Sequence, residues 1–220
     1  MIIYESLKIQ WLGHAGFIFT NSSNQRICID PFRVKNASYE PVDILISTHE
    51  HADHCSIEDM NKFISPDTEV IGINLAKDKL EKLTCKNIHY VKPGDKVNLK
   101  DIEFDIVYAY NINKFRPSGE PFNPKEDNKI GVVVNLDGFK VYHTGDSDLI
   151  PEMSETHADV ALLPVSGTYV MTVSEAIEAT KVLQPKLVIP MHFGSIVGSK
   201  EMADEFKQKT SVRTEIPTLE

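Results

Sequence analysis

The sequence predicts an α/β chain: a four-layer αββα sandwich, two mixed β-sheets face to face with helices on the outer faces. Three observations carry this. The first third is a run of short apolar stretches cut by turn residues, as strands joined by tight connections would be. The last third alternates strand-like and helix-like stretches, the pattern of β/α layering. Finally, Val42-Asp43-Ile44-Leu45-Ile46-Ser47 is echoed by Ala158-Asp159-Val160-Ala161-Leu162-Leu163. Each has an acidic residue before a four-residue apolar run that leads into a polar or small-residue loop, as two similar packed layers would give.

Strands are expected over residues 7–12, 16–20 and 26–30, broken by Gly13 and by Asn21-Ser22-Ser23-Asn24. Residues 42–48 form a nearly continuous apolar run, fit for a strand buried on both faces. A helix over 56–63 follows from Ile57, Met60, Phe63 and Ile64 at helical spacing, with Ser56 as N-cap and Asp59 at the capping-box position. A strand over 69–73, a helix over 75–83 and strands near 96–99 and 101–108 come next. Residues 111–128 hold three prolines and a glycine without periodicity, the mark of a functional or disordered loop. A hairpin over 130–136 and 139–143 then turns at Asp137-Gly138. The chain ends with a strand at 159–164, a helix at 174–183, a strand at 187–190, a helix at 200–209 and a short strand near 212–215.

The chain has 220 residues, enough for one domain with a real core over 1–220. Its formal charge of −9 opposes nucleic acid and anionic membrane surfaces as partners. No apolar run approaches the ~20 residues of a bilayer span. The opening Met-Ile-Ile-Tyr-Glu-Ser lacks a basic start and a long apolar stretch, so no secretory leader is expected. Cys28, Cys55 and Cys85 are too few and too scattered for a disulfide framework, which suits a reducing compartment, the cytoplasm.

Function is legible in Thr48-His49-Glu50-His51-Ala52-Asp53-His54, three imidazoles and an aspartate within six residues directly after a buried strand. Such a turn gathers neutral nitrogen and carboxylate oxygen at a sheet rim, a donor set that suits zinc. The metal reading demands further ligands, and two appear. Asp146 stands just past a strand in Tyr142-His143-Thr144-Gly145-Asp146-Ser147, and His192 just past another in Pro190-Met191-His192-Phe193-Gly194.

At these points, from Leu12-Gly13-His14-Ala15 to Pro190-Met191-His192-Phe193-Gly194, the sequence resembles the metallo-β-lactamase superfamily. The short Leu-Gly-His-Ala start is most like the branch of ascorbate-6-phosphate lactonases and related metal-dependent hydrolases. The resemblance implies a centre of two zinc ions, with manganese or iron as alternatives. His49 and His51 would hold one ion, and Asp53, His54 and His192 the other. Asp146 would bridge them, and Asp30 would hold the histidine loop by hydrogen bonds. The family's third motif calls for one more histidine, and Asn111 stands there as a weaker ligand. His143 is a fallback ligand, with a core role favoured. His14 and Asp53 are the catalytic candidates. Cys55 is expected to face the core, and His89 and His157 to lie on the surface without partners. Gly167-Thr168-Tyr169 leads to a helix start that could offer N–H groups to an oxyanion, with ordinary capping the simpler role.

The expected activity is hydrolysis of a small anionic ester, lactone or phosphodiester by a metal-activated hydroxide. Lys114, Arg116 and Lys125 place positive charge on the long loop to receive such a substrate. Two other classes stay open: a mononuclear iron dioxygenase, and a binding or sensor protein of the same fold. A flavin-partnered diiron oxygen reductase would need a carboxylate where His51 stands. Self-association is left open.

Overall fold

The structure, a computed structural model, describes residues 1–36 and 39–219. Two mixed sheets form its middle layers. The first contains seven strands in sequential order: β1 (Ile2–Tyr4), β2 (Leu7–Gly13), β3 (Gly16–Thr20), β4 (Arg26–Ile29), β5 (Ile44–Ile46), β6 (Glu69–Gly72) and β7 (Asn87–Tyr90). The second contains β8 (Lys96–Leu99), β9 (Ile102–Tyr108), β10 (Ile130–Leu136), β11 (Phe139–His143), β12 (Val160–Pro164) and β13 (Leu187–Met191), again in sequential order. The described residues also form four α-helices, α1 (Ile57–Met60), α2 (Lys77–Leu80), α3 (Val173–Leu183) and α4 (Lys200–Lys209).

The echo between the halves has a structural counterpart. In the first sheet β1 to β4 run antiparallel and β4 to β7 parallel. In the second, β8 to β11 run antiparallel and β11 to β13 parallel. The echoed runs are β5 and β12, the first strands added in parallel to each antiparallel half. Parallel strands are buried on both faces. Accordingly Ile44, Leu45 and Ile46 are fully buried, as are Val160, Ala161, Leu162 and Leu163, each large side chain contributing about 1.5–3 kcal/mol. Their carboxyl ends are where an α/β sheet opens a crevice. Asp30 follows β4 as Asp146 follows β11, so both carboxylates arrive at one rim.

The sheets share one core. Tyr4 of β1 packs edge-on to Phe139 of β11, centroids 5.6 Å apart, and the His143 ring at the end of β11 donates from Nε2 to the Ala15 carbonyl at 2.8 Å. The Thr172 hydroxyl caps α3 and Glu175 bonds back, a complete capping box. That is the ordinary capping expected after Gly167-Thr168-Tyr169.

Several expectations need correction. β1 and β7 were not expected, because an edge strand of three or four residues leaves little apolar periodicity to read. Asn-Ile-His-Tyr of β7 is exposed or half-buried throughout. The helices expected over 56–63 and 75–83 have single-turn α cores, extended by turns. The strand expected near 212–215 is one parallel bridge from Thr214 to Val188. The 111–128 segment is a folded flap. Phe115 bridges Pro121, Phe122 N–H donates to Lys114 O, and Arg116 N–H to Glu120 O. Among the described residues no helix is long and apolar enough to cross a membrane.

Candidate metal centre

The histidine loop leaves β5 and is pinned from below. Ser47 Oγ lies 3.1 Å from the His49 carbonyl and 3.2 Å from that of His54. Asp30, buried and left-handed at φ 46, accepts three bonds: Thr48 N–H at 2.8 Å, Thr48 Oγ at 2.6 Å and His54 Nδ1 at 2.8 Å. His14 and His192 also sit at positive φ, 53 and 59. Such a conformation costs a non-glycine residue about 1–2 kcal/mol, and such strain gathers at functional sites.

The ligand-type atoms fall into two groups. His14, Asp53, His54 and His192 converge in a deep pocket, and His49, His51 and Asp146 in a second one beside it. Asp146 stands between them. Its Oδ1 lies 3.1 Å from His54 Nε2 and 3.3 Å from His192 Nε2, and its Oδ2 lies 3.8 Å from His49 Nε2.

The deep pocket is short of a cation. His54 gives its Nδ1 proton to the Asp30 carboxylate. His192 gives its own to Ser166 Oγ at 3.0 Å, whose hydroxyl hydrogen goes to the Thr168 carbonyl. Both rings therefore aim a bare Nε2 lone pair inward. Among the described residues, His54 Nε2, His192 Nε2, Asp146 Oδ1 and His14 Nδ1 are all buried without a hydrogen-bond partner. Acceptors facing acceptors in a dry pocket are costly unless a cation lies between them. Burial drives His54 toward neutrality, yet the Asp146 and Asp30 carboxylates prevail and hold its pKa well above the ordinary 6.5, so the pocket draws positive charge to Nε2, a proton or a metal ion in its place. Burial likewise opposes ionisation of Asp146, but His192 and His54 keep its carboxyl well below the usual range. Burial also opposes ionisation of Asp53, whose carboxyl is held far below that range by bonds to His14 and His54. Burial holds the His14 ring neutral. Ionised carboxylates and bare imidazole nitrogens are the states a metal requires, and these residues fit one.

The structure brings His14, His49, His51, Asp53, His54, Asp146 and His192 together. Asn111 does not serve as expected. Its amide oxygen accepts the Asn123 N–H at 2.9 Å, and its NH2 donates to Asp148 Oδ1 and the Tyr169 carbonyl at 3.1 and 2.8 Å. The amide is spent on holding the flap. His143 is occupied too, accepting the Gly145 N–H at Nδ1. Cys55 is buried in the core and His157 exposed, as expected. His89 does have a partner, Glu69 Oε2 at 2.8 Å.

Two functional residues escaped sequence reasoning. Asn123, buried in the flap, and Lys129, just before β10 and 2% exposed, pack behind His51. A lysine leading into the apolar run Ile130-Gly131-Val132-Val133-Val134 was the available signal.

Above the pockets lies a cleft of about 270 Å³ lined by His51, Asp53, Asp146, Arg116, Phe122, Tyr169 and Ile196. The Phe122 and Tyr169 rings meet edge-on at 4.6 Å, and the Arg116 guanidinium lies 5.1 Å from the Phe122 centroid. Lys114 is consumed by Asp148 and Glu175, and Lys125 by Glu152. Of the three loop cations expected to greet a substrate, only Arg116 lines the cleft.

Comparison with known proteins bears out the family resemblance. The family of the beta-lactamase superfamily domain matches residues 8–192. A UPF0173 metal-dependent hydrolase of Pyrococcus abyssi is 30% identical, over 97% of this chain and 96% of that protein. Another, from Thermoplasma acidophilum, is 31% identical over 92% and 90%. Among solved structures, a Parabacteroides distasonis protein assigned as a metal-dependent hydrolase superposes with a TM-score of 0.82 at 29% identity, covering 97% of this chain and 94% of that one. From its fold, its motifs and these relatives, the chain belongs to the metallo-β-lactamase superfamily.

Proposed function

We propose that the chain, as one domain over residues 1–220, is a metal-dependent hydrolase cleaving a small anionic ester, lactone or phosphodiester. One observation carries the reading: three buried, unpartnered ligand atoms converge, those of His54 and His192 within 3.3 Å of that of Asp146, beneath an open cleft that holds one arginine. The relatives named metal-dependent hydrolases support it, and the lactonase-like branch that the sequence resembles acts on substrates of this kind.

Asp53, His54, His192 and Asp146 would hold the ion, with His14 beside them. Zinc suits the mixed nitrogen and carboxylate donors, with manganese or iron as alternatives. Such an ion supplies a nucleophile by acidifying water and polarises the bond to be broken. The protein does the rest. Asp30 and Ser166 hold the two rings with Nε2 aimed inward, in the orientation the ion requires. Arg116 receives the substrate's negative charge, and Phe122 and Tyr169 wall the cleft. Asp53, 21% exposed, lies 3.1 Å from His14 Nε2, and from the cleft floor this ionised carboxylate would orient the attacking water, with His14 fixing its direction. Three free thiols, two of them buried, suit the reducing cytoplasm.

Metal analysis of gently purified protein tests this, alongside a screen of esters, lactones and phosphodiesters before and after chelation. A bound metal and hydrolysis lost on chelation are expected. Arg116→Ala should raise KM for the anionic substrate about 10-fold at unchanged kcat. Metal-free protein of native fold would sink the reading, and so would bound iron with oxygen uptake and no hydrolysis.

A further inference from the structure

The two imidazoles of the second pocket, unlike those of the deep one, have a partner at every ring nitrogen. Thr48 Oγ gives its hydrogen to Asp30 Oδ2, so at 3.1 Å it accepts from His49 Nδ1, and His49 Nε2 is left as an acceptor. That acceptor is taken, because His51 Nδ1 lies 3.0 Å from it. On the other side of the His51 ring, Lys129 Nζ lies 3.3 Å from Nε2. An ammonium has donors and no lone pair, so His51 Nε2 must accept and His51 Nδ1 must carry the ring hydrogen. The result is a closed chain: Lys129 to His51, His51 to His49, His49 to Thr48, Thr48 to Asp30. None of the ring nitrogens in this chain is among the buried atoms without a partner.

We infer that Lys129 closes the pocket of His49, His51 and Asp146 to a second ion, so that the chain holds its ion in the deep pocket alone. The inference rests on the proposed reading of the deep pocket as a metal site. For His51 to offer Nδ1 to a metal, its hydrogen must move to Nε2, where it would meet the Lys129 N–H donor head-on at 3.3 Å. Lys129 has nowhere to withdraw. It is 2% exposed and held by Asn123 Oδ1 at 2.9 Å and Glu50 Oε1 at 3.1 Å, with Asp127 Oδ2 at 3.8 Å. Among the described residues no fourth histidine, cysteine or carboxylate joins this pocket, and the Asn111 amide is spent elsewhere. The inference thus departs from the two-ion expectation at a residue outside the metal motifs.

Zinc titration of the chelated full chain by calorimetry, with metal content by mass spectrometry, tests this in the wild type and in Lys129→Met. The methionine keeps the length of the side chain and removes its donors. One tight zinc per wild-type chain is expected, rising to two in Lys129→Met as the second site tightens about 100-fold or more. Two tight ions in the wild type would overturn the inference, as would one ion in a folded Lys129→Met. Should that variant not fold, histidine nitrogen NMR of the zinc-loaded wild type decides. A proton on His51 Nδ1 supports the inference, and a metal-coordinated Nδ1 overturns it. No tight zinc in the wild type, or one that His54→Ala and His192→Ala fail to weaken, would instead refute the deep-pocket reading.

Discussion

The two pockets draw on one loop of six residues, yet they are opposite in kind. His49 and His51 turn to one side, Asp53 and His54 to the other, and Asp146 faces both. In the deep pocket the second nitrogen of His54 and that of His192 each donates outward, to Asp30 and to Ser166, and the inward lone pairs are left bare. In the neighbouring pocket His51 receives a donor from outside and passes its own hydrogen inward. Ligand capacity therefore depends on what stands behind each imidazole as much as on the imidazole itself. An acceptor behind the ring frees the inner nitrogen, and a donor behind it fills that nitrogen with a proton.

The largest effect is expected from Asp146→Ala, because this carboxylate supplies the oxygen that His54 and His192 face. It should remove most bound metal and lower the hydrolytic rate about 10³-fold or more, with the fold intact by circular dichroism. Retention of full metal content would show that the two pockets are independent and that Asp146 joins neither. Asp30→Asn separates the pockets by another route. It removes the charge that fixes His54 without touching a ligand, and should weaken metal binding about 10- to 100-fold in a chelator competition. Unchanged affinity would mean that the tautomer of His54 is set elsewhere.

Most of the architecture was readable because it follows local rules. Alternation in 7–12 and the continuous run at 42–48 report how many faces a strand buries, and the hairpin at Asp137-Gly138 reports its own turn. The ligands were readable too, because loops at the carboxyl ends of parallel strands bring distant motifs to one rim. Other features are set by long-range contacts that leave no local trace. β7 pairs at a sheet edge without an apolar pattern. Lys129 reaches His51 across 78 positions, and its effect depends on the direction of one hydrogen bond. Asn111 stands at the expected point in the motif order, but its role was decided by Asp148 and Tyr169.

That last residue gives a smaller test. Asn111→His would supply the missing histidine if motif order governed the second pocket. Since the amide instead satisfies three partners, two of them buried, the substitution should add no zinc and cost about 1–3 kcal/mol of stability, read as a lower denaturant midpoint. A second zinc in Asn111→His, with Lys129 in place, would break the contrast between the pockets.

The smallest expected effect concerns the flap that carries Asn123 to Lys129. Glu175 anchors it, accepting from Lys114 Nζ at 2.8 Å while closing the capping box of α3. Burial opposes ionisation of Glu175, but the bonds from Lys114, Thr172 and Asn113 bring its pKa down to about 2 from the ordinary 4.5. A carboxyl depressed on folding stabilises the native state fully above its unfolded pKa, and that contribution is lost as the pH falls through the folded one. The flap should therefore loosen between pH 4.5 and about 2. Glu175→Gln should cost about 1 kcal/mol at pH 7, since its side chain is 23% exposed and solvent screens the pair, and should flatten the acid limb of the stability curve over that window. Zinc content at pH 7 should stay at the wild-type value, because no deep-pocket ligand lies on the flap. A Glu175→Gln protein that loses its zinc at pH 7 would show that the flap supports the deep pocket as well, and that the two pockets are one mechanical unit.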